Sequence, residues 1–139
     1  MPVTTNKSNA ALWVIQGLLA ALFLFAGGFK LALPLAALAK VSPLPAPFLK
    51  FIGACEVTGA LGLILPGLLR IRTGLTPLAA AGLVIIMTGA TVVTLATQGV
   101  APAVLPFVVG ILAAAVALGR SRFRSPSFDT WHQPQTVRN

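Results

Sequence analysis

The chain has 139 residues, 57% apolar and only 9% charged, with mean hydropathy +0.94; that is too little charge to wet the surface of a soluble globule. Its formal net charge is +8, but the ten lysines and arginines edge the apolar runs instead of forming one stripe, which argues against nucleic acid and fits anionic lipid headgroups. The single cysteine, Cys55, excludes an internal disulfide or a CxxC pair, and the single histidine, His132, leaves no visible ligand set for haem, zinc or copper.

Residues 1–9, "MPVTTNKSN", read as a short polar tail. The apolar run at 10–29, "AALWVIQGLLAALFLFAGGF", follows. About 20 residues rising about 1.5 Å each cover roughly 30 Å, one hydrocarbon thickness. The run exceeds a signal-peptide core and follows a single lysine, so it reads as a retained anchor. The stretch 30–47, "KLALPLAALAKVSPLPAP", breaks the pattern with Pro34, Pro43, Pro45 and Pro47, each lacking a donor and clashing with a preceding turn. Within it "LPLAALAK" is expected to form a short helix in the membrane interface.

A second span is predicted over 48–65, stopping at Pro66-Gly67, and is followed by the basic loop "GLLRIRTG". The third covers 75–96, with Pro77 tolerated in its first turn. After the turn "TQGVAP", the fourth runs over 102–119, and 120–139 form a basic polar tail. The expected fold is therefore all-α: one integral membrane four-helix bundle over 10–119, with a Pro-rich interfacial segment between its first two spans. Lys7, Arg70, Arg72, Arg120, Arg122, Arg124 and Arg138 fall on one side of it, and Lys30, Lys40 and Lys50 on the other. The positive-inside rule then places both termini in the cytoplasm.

Glu56, the chain's only glutamate, lies inside the apolar stretch "FIGACEVTGALGLILP". Counted from Phe48 it sits roughly 12 Å deep at helical rise. A carboxylate at that depth needs a partner or must be neutral. Lys30, at the end of the first span on the same side, is the basic residue at matching depth, with Lys50 more exposed. Thr88, Thr91 and Thr94 recur every three residues on the third span, and Thr91 falls near the level of Glu56. The candidate intramembrane polar site is accordingly Lys30, Glu56, Thr91 and Gln98. Glu56 reads either as half of a structural ion pair or as a ligand or proton site, Lys30 as its partner or as a side chain snorkelling to headgroups, and the threonines as back-bonded to their own helix. Gly17, Gly53, Gly59, Gly62, Gly82 and Gly89 are expected at close helix contacts, and Cys55 as a small apolar residue. No catalytic residue and no metal ligand is assigned.

The ending "AGGFKL" of the first span, the proline-rich gap and the second-span pattern "FIGxxExxGALGLILP" together resemble the DoxX-like family of small four-helix bacterial membrane proteins, over about residues 10–120. The resemblance implies residence in the bacterial cytoplasmic membrane and carries over Lys30 and Glu56 as the family-typical polar residues. The family's name comes from a subunit of quinone-reducing sulfur-oxidising complexes. The implied function is a non-catalytic accessory or anchoring subunit of a membrane redox assembly, partnered by a redox protein or a second copy, with quinone the one cofactor in view. The alternative is a small transporter or hydrophobe-binding protein using Glu56 as its proton or ligand site. A stand-alone enzyme is disfavoured by the scarcity of polar groups around Glu56.

Overall fold

The computed structural model describes residues 2–72 and 74–122, with side chains described from residue 7 onward. Five helices follow one another: α1 (Pro2–Ala32), α2 (Leu35–Val41), α3 (Ala46–Leu68), α4 (Leu75–Gln98) and α5 (Val100–Arg122). All but α2 contain a stretch long and apolar enough to cross a membrane. The part of the basic tail at 123–139, with Arg124, Arg138 and His132, lies outside the described residues.

Each long helix buries one narrow stripe at helical spacing: Gln16, Leu19, Ala20 and Phe23 on α1, Ala60 and Leu63 on α3, Ala80, Leu83 and Met87 on α4, Ala113 and Val116 on α5. The opposite faces are no more polar than the buried ones, since Phe25 is 75% exposed and Ile85 74%. A helix in water shows the reverse arrangement, so the outer faces match acyl chains. Lipid tails are as apolar as leucine. The bundle is therefore held by close packing of small against large side chains, Ala60, Ala80 and Ala113 beside Leu63, Leu83 and Val116, and not by escape from water.

The helices run alternately up and down. α1 pairs extensively with α3, and α4 with α5; α3 packs on α4, whereas α1 and α5 meet over a small area. Their contact lies where the described chain begins and ends, because Arg120 Nη1 donates to Asn9 Oδ1 at 2.7 Å. Both ends of the described chain thus share one end of the bundle. The other end carries α2 and the turn at Gly99, whose φ of 96° is a conformation that side-chain-bearing residues rarely adopt.

Several boundaries differ from the sequence expectation. The polar segment before residue 10 is not a separate tail but the first turns of α1, which begins at Pro2. Nothing in it breaks a helix, and Pro2 stands where a missing N–H is harmless. The second span overruns Pro66 and ends at Leu68. Pro66 forfeits one helical bond in the last turn, and Ile71 N then donates to Pro66 O at 3.1 Å, closing the end in a Schellman manner. Arg70, with φ 53°, occupies the left-handed position usually given to glycine. α5 starts at Val100 instead of residue 102, taking Pro102 into its first turn, and Pro106 lies inside it as the expected span already had it.

Candidate functional site

At the α2 end, Lys30 and Glu56 meet. Lys30 Nζ lies 2.7 Å from Glu56 Oε1 and 2.6 Å from Oε2. The carboxylate side chain is 2% exposed, the lysine 27%. The local sequence permits this approach: a Cβ built on Gly27 would fall 2.6 Å from Gly53 O, and one on Gly53 would fall 3.0 Å from both Gly27 O and Lys30 Cβ. Two glycines facing each other let the α1 and α3 backbones nearly touch beside the pair. Lys50 Nζ, from the first turns of α3, donates to Leu31 O and ties the same two helices nearer the helix ends.

Beside the ion pair lies a cavity of about 770 Å³. α1 and α3 form one wall, α4 the other, and the segment from Leu38 to Leu44 closes its end; no α5 residue lines it. The cavity lies between α1 and α4, which belong to different helix pairs; those pairs are joined by α3 packing on α4 and by the small α1–α5 contact at the far end of the bundle. Its lining is apolar except for Lys30, Ser42, Glu56, Thr94, Gln98 and the thiol of Cys55. Two stacked phenylalanine pairs, Phe25 with Phe29 and Phe48 with Phe51, stand at its border with ring centroids 6.3 and 6.4 Å apart. Because lining residues Phe25, Phe51 and Ile85 are also highly exposed on membrane-length helices, the cavity opens sideways toward lipid. A space of this size and polarity accommodates an apolar molecule carrying a small polar head.

Of the four residues in the candidate polar site, Lys30, Glu56 and Gln98 line this cavity. Thr91 does not; its hydroxyl donates to Met87 O at 2.7 Å, within its own helix. Thr88 and Thr97 do the same to Val84 O and Val93 O, and on α3 Thr58 bonds Ala54 O. Thr94 is the α4 threonine that lines the cavity. It was hard to single out from sequence, since Thr91 and Thr94 differ by only about 60° around the helix. Among the glycines, Gly53, Gly59 and Gly62 sit at tight contacts, whereas a Cβ on Gly17, Gly82 or Gly89 meets nothing within 4 Å.

A second polar cluster, absent from the sequence reading, closes the opposite end. Gln16 Nε2 donates to Leu63 O at 2.6 Å, while Gln16 Oε1 accepts from Arg120 Nε at 2.5 Å. The guanidinium also stands 5.2 Å from the centre of the Trp13 ring, and Gly67 leaves room for that ring. Its remaining nitrogen, Nη2, is buried without a partner among the described residues. The cluster joins α1, α3 and α5: the link to α3 is a neutral amide–carbonyl bond, and the two Arg120 bonds between α5 and α1 carry charge at one end, the stronger kind. A glutamine 104 residues distant from the arginine that binds it offers no local signal.

A model of the DoxX-like family matches residues 14–116. No curated protein and no solved structure matches the chain.

Proposed function

The chain belongs to the DoxX-like family of membrane proteins, and we propose that it serves as a non-catalytic accessory subunit which holds a lipid-soluble molecule of the quinone class for a membrane redox partner. The observation that carries this reading is the apolar cavity of about 770 Å³ with the neutralised Lys30–Glu56 pair in its wall. A quinone enters from the bilayer, offers carbonyl acceptors and carries no charge. Lys30 supplies a matching donor, because an ammonium has three N–H groups and Glu56 engages two. The role needs binding and orientation alone, and the polar groups lining the cavity are few enough that binding is the chemistry best supported. The same reading places the protein in the bacterial cytoplasmic membrane with both termini cytoplasmic, in accord with the arrangement of its lysines and arginines.

Native mass spectrometry in a mild detergent tests this directly, with 2-decyl-1,4-benzoquinone as probe. Wild type should retain one probe molecule. Gly89→Leu should bind it about tenfold more weakly, since Gly89 lines the cavity and its new side chain finds open space there instead of a backbone clash. No retention by wild type, or equal retention by Gly89→Leu, would overturn the proposal.

A further inference from the structure

The hydroxyls of Thr88, Thr91 and Thr97 on α4 are consumed by carbonyls one turn back in their own helix. Back-bonding of this kind is the ordinary fate of a threonine in a membrane helix, where no water competes. Thr94 departs from it. Half-buried and on the cavity wall, its hydroxyl has no hydrogen-bond partner among the described residues. Gln98, one turn further along α4, lines the same cavity and also has no side-chain hydrogen bond among them. Two unspent polar groups therefore stand together on the α4 wall, while Lys30 and Glu56 occupy the α1–α3 wall.

We propose that Thr94 and Gln98 form a second hydrogen-bonding subsite, so that the cavity selects a neutral lipophile with polar atoms at two separated positions over one with a single polar head. The inference rests on the binding role assigned above and adds to it the residues that set specificity. The two subsites differ in what they can accept. Lys30, already neutralised by Glu56, has a donor to spare but no spare charge, so it favours a carbonyl, ether or hydroxyl oxygen over a carboxylate or phosphate. Thr94 can donate or accept, and the Gln98 amide offers both functions. A molecule polar at one end only would bury Thr94 unsatisfied against its apolar body. One with a second oxygen would satisfy it. An acyl lipid with an anionic head fails the first condition, since Lys30 has no spare charge to offer it.

The test compares two probes with the same tail: 2-decyl-1,4-benzoquinone, with two carbonyls, and decyl phenyl ketone, with one. Their dissociation constants are measured on the full chain in detergent for wild type, Thr94→Val and Gln98→Leu. Thr94→Val preserves shape and removes only the hydroxyl, and helix content by circular dichroism verifies folding. Wild type should prefer the dicarbonyl probe by roughly tenfold, the worth of about one well-made hydrogen bond. Thr94→Val should reduce that preference to within about twofold while binding the ketone at least as tightly as wild type, because no hydroxyl is left to bury unsatisfied, with Gln98→Leu acting in the same direction. Tight binding of both probes by wild type without preference, or a preference untouched by both substitutions, overturns the second subsite and leaves the binding role standing. Failure of wild type to bind either probe overturns both.

Discussion

Glu56 can remain charged at its depth because Lys30 reaches both of its oxygens. Removing one member leaves the other without its counter-ion in an apolar span, which typically costs about 3–5 kcal/mol. Lys30 keeps some exposure and can turn partly outward, so Glu56→Gln should fall near the lower limit, about 3 kcal/mol. Lys30→Met strands the fully buried carboxylate and should be the more damaging change. The double variant replaces both charges and should recover most of the stability, giving a coupling of at least about 3 kcal/mol. Thermal denaturation of the four proteins in one detergent measures this; strictly additive losses would show that the two charges do not support each other.

At the scale of helices, adjacent glycines have opposite tasks. Gly27 faces α3 so closely that a Cβ would lie 2.6 Å from Gly53 O and 3.0 Å from Glu56 Cβ, whereas a Cβ on Gly28 meets nothing within 4 Å. The nearest obstacle at Gly27 is backbone, which cannot rotate aside as a side-chain tip can. Gly27→Ala must therefore push α1 from α3 and should cost about 1–3 kcal/mol. Gly28→Ala fills open space and improves helix propensity, so it should be neutral or stabilising by up to about 1 kcal/mol. Melting temperatures of the two variants decide the matter: equal effects would show that the α1–α3 approach is not limited by Gly27. The same separation bears on the cavity, because the ion pair that closes its wall depends on these helices touching.

For the molecule as a whole, hydropathy made the four spans legible, because in lipid both faces of a helix must be apolar and the run length then reports the crossing. The meeting of Lys30 and Glu56 was legible too, since a rare acid and one lysine fall at equal depth on consecutive spans. The helix end beyond Pro66 and the start of α5 before Pro102 were not, because a membrane helix tolerates proline that would stop one in water. Nor was the choice between Thr91 and Thr94, which turns on a fraction of a helical turn, or the Gln16–Arg120–Asn9 closure, which needs α1 and α5 already side by side. That closure fixes both ends of the described chain at one end of the bundle, the end that the proposed orientation puts in the cytoplasm. Cysteine labelling checks the assignment. In a Cys55→Ser background, Lys40→Cys lies on exposed α2 and Arg72→Cys in the exposed loop after α3. In spheroplasts of a bacterial host, a membrane-impermeant maleimide should modify Lys40→Cys at once and Arg72→Cys only after permeabilisation. Neither substitution reverses the charge asymmetry, since Lys7, Arg70, Arg120 and Arg122 still stand against Lys30 and Lys50. The opposite labelling pattern would invert the bundle and turn the α2 end, with its cavity, toward the cytoplasm.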